Sequence, residues 1–238
     1  MSDRAGTVLC MGNHSGAPGS PGTHLVWDWN GTLLDDAAAI VSATNAAFAE
    51  IGLGPITLER YRELYRIPIP RFYESVLGRP PTAAEWEITD VVFHRHYSER
   101  RVGCGLTDGA ERLLKEWRLA GHSQSLLSMY GHDELVPVVR GYGIESHFIR
   151  VEGRTGPSGG SKAPHMRRHL EALAETVSPE RTVVIGDAVD DAVAAAHVGA
   201  RAVLFTGGSH SRASLEAAGV PVVDTLEHAV EEAIRLVA

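Results

Sequence analysis

Several side chains in this 238-residue sequence could share one reaction if a fold brought them together. The apolar run His24-Leu25-Val26-Trp27 delivers a carboxylate at Asp28, and Ser125-Leu126-Leu127 delivers a hydroxyl at Ser128. Val183-Val184-Ile185-Gly186 is followed by Asp187. The chain has only two lysines against 20 arginines, and one of them, Lys162, opens a helical stretch. Two carboxylates, a hydroxyl and an ammonium suit phosphoryl transfer. One carboxylate attacks phosphorus, an oxygen-lined pocket holds Mg²⁺, and hydroxyl and ammonium neutralise the phosphoryl oxygens as charge develops.

The elements that must position these groups are legible as pattern. From Gly105 onward, short apolar runs alternate with helical stretches. A helix over Asp108–Ala120 carries Ala110, Leu113, Leu114 and Trp117 on one face. Strands are expected at 125–128, 147–151, 182–186 and 202–205, with a last strand and helix from Val220. Helices are expected over 133–142, 165–176 and 190–197. Such alternation predicts an α/β fold, a doubly wound parallel sheet covered on both faces, whose ligands bind at the carboxyl ends of the strands. Residues 37–105 read differently: helical in pattern, punctuated by prolines, with a capping box at Thr82–Glu85 and no alternating strand. They are expected to form an inserted all-helical cap. The catalytic core then comprises 23–36 and 106–238. Residues 1–22, rich in Gly, Pro and Ser, are expected to be a disordered leader.

Asp28-Trp29-Asn30-Gly31-Thr32-Leu33 resembles the first motif, D-x-D-G-T-L, of the haloacid dehalogenase superfamily. Ser128, Lys162 and Gly186-Asp187-x-x-x-Asp191 follow in the order of its second, third and fourth motifs. Leu106-Thr107-Asp108-Gly109 is similar to the phosphoglycolate-phosphatase-like branch, and the resemblance spans roughly residues 24–238. It implies a phosphatase in which Asp28 is the nucleophile, forming an aspartyl-phosphate. Mg²⁺ would be held by Asp28, the Asn30 carbonyl and Asp187, with Asp191 in support. Ser128, Lys162 and backbone N–H groups around Trp29–Gly31 would bind the phosphoryl oxygens, and Thr32 would brace the turn. The substrate implied is a small phosphorylated metabolite.

One position departs from the pattern. The family's second aspartate protonates the leaving oxygen and later activates water, but this chain has Asn30, whose neutral amide is no practical proton carrier. General acid–base catalysis is typically worth about 10²–10⁴-fold. The alternative reading is therefore a catalytically impaired relative that binds a phosphorylated metabolite or protein partner. Asp35 and Asp36 are the nearest acidic residues in sequence. Phosphonatase chemistry is disfavoured, because it needs a cap lysine and 37–105 contains none.

Composition excludes other classes. A formal charge of −8 disfavours nucleic-acid binding. No apolar run approaches the roughly 18 residues of a membrane span. Two cysteines suit a reducing cytoplasm, and a monomer or homodimer is expected. The Gly156–Ser161 run before Lys162 lacks the flanking Gly and Ser/Thr of a P-loop. The histidine pairs 94/96 and 165/169 have no acidic or Cys partner at zinc spacing. Asp190 is expected only to favour a helix N-terminus, while Arg66 and Arg71 are candidates to meet an anionic substrate.

Overall fold

The computed structural model describes residues 22–156 and 160–238. The leader expected over 1–22 lies, Gly22 apart, outside the described residues. Six parallel strands form one sheet: β1 (His24–Trp27), β2 (Ser123–Gly131), β3 (Val151–Arg154), β4 (Thr182–Gly186), β5 (Arg201–Phe205) and β6 (Val222–Val223). Their order is β3-β2-β1-β4-β5-β6, so the connections reverse direction between β1 and β4. That reversal opens a crevice at the carboxyl ends of those two strands.

Between β1 and β2 come helices α1 (Ala37–Glu50), α2 (Leu58–Leu64), α3 (Pro70–Leu77) and α4 (Ala83–Arg101), then α5 (Ala110–Leu119). Later helices are α6 (His132–Gly141), α7 (Ala163–Glu171), α8 (Val189–His197), α9 (Arg212–Glu216) and α10 (Leu226–Val237). The strands are apolar on both faces because helices cover both. Leu25, Trp27, Val183, Ile185, Val203 and Phe205 meet α5, α6 and α10 on one side. Val26, Leu127, Val184 and Leu204 meet α7 and α8 on the other. The buried face of α5 is the expected one, Ala110, Leu113, Leu114 and Trp117.

Helices α1–α4 form the all-helical cap, with an aromatic core of Phe48, Tyr61, Phe72 and Tyr73. The Thr82–Glu85 capping box starts α4: the Thr82 hydroxyl accepts from the Glu85 N–H and the Glu85 carboxylate accepts from the Thr82 N–H. Among the described residues, no helix is long and apolar enough to cross a membrane.

Two expectations are corrected. The strand expected at 147–151 is instead β3, Val151–Arg154: Glu145–His147 coils into a 3₁₀ turn, and backbone bonds to β2 begin after it, the Ile149 N–H donating to the Gln124 carbonyl and the Leu126 N–H to the Arg150 carbonyl. Ser128 does not end its strand. β2 continues to Gly131, and Ser128 sits where the β2–β3 register shifts between Leu127 and Gly131.

Below the crevice a buried polar chain ties the site-bearing elements together. The Ser125 hydroxyl on β2 lies 2.8 Å from Nε2 of His24 on β1 and 2.8 Å from Nε2 of His169 on α7. His169 Nδ1 is 3.0 Å from Glu152 on β3, which also takes Arg150, and His24 Nδ1 reaches Ser123 at 2.8 Å. With both rings neutral, donation runs one way: Ser123 O–H to His24, His24 to Ser125, Ser125 to His169, His169 to Glu152. Ser–His–Glu contacts of this kind serve nucleophilic hydrolysis in open clefts. Here Ser125 is fully buried and shared by two histidines, so the chain is a strut.

Burial, with the nearby His169, pushes His24 down to about 3 from an ordinary 6.5. Burial also lowers His169, and its hydrogen bond holds Glu152 down to about 2. An unfolded chain takes up these protons before the folded one, so the strut's contribution is complete above pH 6.5 and is lost as pH falls through the window. Urea unfolding should show stability declining from pH 6.5 downward, by at most about 1.4 kcal/mol per pH unit for each group. In His24→Asn that decline should be shallower, the remainder coming from His169 and Glu152.

Candidate active site

Asp28 leaves β1 and Asp187 leaves β4, so the two central strands aim both carboxylates into the crevice. Asp191 lies in the first turn of α8, and Lys162 immediately precedes α7. The structure brings all four together. Lys162 Nζ donates to Asp28 Oδ1 at 2.6 Å and to Asp191 Oδ1 at 2.5 Å. Ligand oxygens of Asp28, Asp187 and Asp191 lie within 4.8 Å of one another. Asp191 has a second task, its Oδ2 accepting from the Ala188 N–H and capping α8. Asp187 Oδ2 accepts from the Ser209 N–H at 2.9 Å, and the Thr32 hydroxyl is 3.4 Å from Oδ1.

Glycines make this crowding possible. A Cβ on Gly208 would stand 1.7 Å from Asp187 Oδ2, and one on Gly186 would stand 2.1 Å from Asp191 Oδ2. Any side chain at either position would therefore displace a carboxylate.

The electrostatics leave the cluster short of positive charge. Burial pushes Asp28 up to about 6 against the pull of Lys162, and raises Asp187 well above the carboxylate range, helped by Asp28 and Asp191. Burial opposes the charge on Lys162, but Asp191 and Asp28 outweigh it and raise the ammonium above its ordinary value. Three buried carboxylates against one ammonium create a demand for a further cation, and their oxygens form the right kind of donor set for a divalent metal.

Asn30 lines the same cavity, and its amide is already committed. Nδ2 donates to Asp36 Oδ2 at 2.7 Å and to the Tyr97 hydroxyl of α4 at 2.6 Å. Tyr97 donates to the same Asp36 oxygen at 2.6 Å, and the Gly31 N–H donates to Asp36 Oδ1 at 2.8 Å. Asp36 is fully buried, and burial raises its pKa against these three donors. The flipped amide would turn its oxygen toward this carboxylate, so Asp36 dictates which way Asn30 points.

Other placements refine the sequence reading. The Ser128 hydroxyl lines the cavity and accepts from the Tyr130 N–H. Asp190 does more than favour a helix start: its Oδ2 accepts from the Lys162 N–H at 2.7 Å and so seats the lysine. Arg66 is spent on the carbonyls of Glu63 and Tyr65, while Arg62, which the pattern did not single out, donates to the carbonyls of Gly207 and Gly208. That clamp fastens the cap to the loop that holds Asp187. Tyr97, Arg62 and His210 carried no local signal. The acidic doublet was the only hint of Asp36.

A model of the haloacid dehalogenase-like hydrolases matches residues 23–199. The chain belongs to this family. It is 30% identical over 184 residues to the tyrosine-protein kinase PtkA of Mycobacterium tuberculosis, covering 76% of this chain but 60% of that relative's length. It is 28% identical over 203 residues to a phosphoglycolate phosphatase of Cereibacter sphaeroides, covering 77% of this chain and 85% of the relative. A crystal structure of a predicted phosphatase from Clostridium acetobutylicum superposes with a TM-score of 0.75 at 16% identity, covering 91% of this chain and 100% of the other. At that identity the likeness is one of fold.

Tyr97→Phe removes one donor from buried Asp36 and the acceptor of one Asn30 N–H. Urea unfolding should show a loss of about 1–3 kcal/mol with the far-UV spectrum unchanged. A loss below about 0.5 kcal/mol, the level of ordinary surface substitutions, would mean that the network is not closed in solution.

Proposed function

We propose that this member of the family is a Mg²⁺-dependent phosphatase that hydrolyses small phosphate monoesters through a phospho-Asp28 intermediate. The observation that carries the reading is the buried Lys162 ammonium, held by Asp28 and Asp191, whose carboxylates cluster with that of Asp187, at the floor of a cavity that the cap covers. The names of the two relatives, a phosphatase and a kinase, both denote phosphoryl transfer and support it.

Asp28 Oδ1 is held by Lys162, which leaves Oδ2 as the attacking atom. Oδ2 forms a bond to phosphorus as the bond to the leaving oxygen breaks, and that oxygen departs with the electron pair. Water then attacks the same phosphorus, releasing inorganic phosphate and restoring the carboxylate. Lys162 and Ser128 neutralise and orient the phosphoryl oxygens. Asp28, Asp187, Asp191 and the Asn30 carbonyl would hold Mg²⁺, which when bound supplies positive charge against the transferring group. The surplus negative charge of the three carboxylates fits such an ion. Asn30, its N–H groups occupied by Asp36 and Tyr97, offers no proton. This commitment also favours the second reading, a relative that binds phosphate esters and turns over slowly.

Release of nitrophenolate from p-nitrophenyl phosphate should require Mg²⁺, stop with EDTA, and vanish in Asp28→Asn. Release equal to that of the Asp28→Asn protein would favour the binder. Asn30→Asp should raise turnover of alkyl phosphates by about 10²-fold and that of the nitrophenyl ester much less, since nitrophenolate leaves unprotonated. Equal gains on both would count against the role given to Asn30.

A further inference from the structure

Resting on the phosphatase reading, we infer that the substrate's organic part is aromatic, and that the natural class is a small aryl phosphate, the phosphate ester of a phenol. Two features of the cavity lead there.

The first is the wall opposite the carboxylates. The cavity has a volume of about 330 Å³, at the small end of ligand pockets. Above the acidic floor it is lined by Ile40, Ile67, Ile69, Tyr65, Phe93 and Tyr130. Ile67 and Ile69, between α2 and α3, remain 48% and 37% exposed, so their apolar surface is free to cover a ligand. Lys162 is the only Lys or Arg among the described lining residues, and it is committed to Asp28 and Asp191. Of the cap arginines near this wall, Arg62 donates to the carbonyls of Gly207 and Gly208 and Arg66 to those of Glu63 and Tyr65, while Arg71 is exposed and is not a lining residue. Arg101 lies over the Tyr130 ring, 5.3 Å from its centroid, and is not a lining residue. The remaining basic lining side chain, His210, is buried and packs edge-on against Tyr65. A substrate whose leaving group carries a second anion, such as a carboxylate, would lose hydration against this wall and gain no cationic partner. A ring would gain aromatic and aliphatic contacts.

The second feature is the missing acid. With Asn30 pinned by Asp36 and Tyr97, the leaving oxygen must depart as an anion. A phenol, ionising near pH 10 as tyrosine does, tolerates this far better than an alkyl alcohol. In the step proposed, the Asp28 oxygen–phosphorus bond forms, the phosphorus–phenoxide bond breaks, and the phenoxide takes its proton from water after release. The apolar wall and the immobilised amide meet on α4, where Phe93 stacks on Tyr97, and both favour the same ester.

Binding and turnover should be measured separately on the Mg²⁺-loaded full chain. By calorimetry, phenylphosphonate should bind about tenfold or more tighter than phosphonoacetate, as expected for one buried aromatic ring. Ile67→Ser and Ile69→Ser should each weaken phenylphosphonate several-fold while leaving inorganic phosphate binding unchanged. In turnover, kcat/KM for phenyl phosphate should exceed that for 2-phosphoglycolate and glycerol phosphate, and a phosphotyrosyl peptide should be slower than free phenyl phosphate. Tighter phosphonoacetate binding, or faster 2-phosphoglycolate hydrolysis, would overturn the aromatic class while leaving the phosphatase reading intact. A peptide hydrolysed faster than phenyl phosphate would overturn the small-molecule source. If no ester is hydrolysed, the phosphatase reading fails, and the two phosphonate affinities still decide the ligand class.

Discussion

The structure depends on a buried ammonium among buried carboxylates. Lys162 holds Asp28 and Asp191 at hydrogen-bond distance, and without it two like charges would face each other with little water to screen them. The chain spends much of its architecture on maintaining this contact. Asp190 seats the lysine's backbone, Asp191 caps α8 with its other oxygen, and two glycines leave space beside the acidic groups. One ammonium does not balance three carboxylates, so the arrangement leaves a surplus of negative charge.

A further buried carboxylate, Asp36 at the junction between core and cap, accepts from the amide of Asn30 and fixes its direction. Because Tyr97 of α4 completes the same network, the orientation of Asn30 is tied to the seating of the cap. The Arg62 clamp on Gly207 and Gly208 ties the cap to the Asp187 loop from the opposite side. Cap position, amide orientation and carboxylate placement are therefore linked through these hydrogen bonds.

Beneath the sheet, the His24–Ser125–His169–Glu152 chain shows how a polar core is tolerated. Each hydroxyl and ring nitrogen in it has a partner, so burial costs little while the alignment of β1, β2, β3 and α7 is specified. Those elements carry Asp28, Ser128 and Lys162. The site is thus held from below as well as from its rim.

The α/β alternation, the helical cap and the residues Asp28, Ser128, Lys162, Asp187 and Asp191 were legible in the sequence, because each is announced locally. An apolar run stops at a polar residue, a Gly-Asp pair opens a helix, or one of only two lysines stands at a helix start. The edge strand is placed a few residues early because Phe148-Ile149 reads alike whether it leads into a strand or lies within one, and only pairing with β2 decides. Asp36, Tyr97, Arg62 and the aromatic wall were not legible, since nothing beside them in sequence marks what they meet across the fold. The sequence by itself determined which chemical groups exist and that strand ends would present them. Only the tertiary structure decided that the lysine bridges two carboxylates, that the amide faces a buried acid, and that the space above is apolar. Those properties belong to contacts between residues up to 163 positions apart in the numbering, such as Asp28 and Asp191, and contact energies act through space.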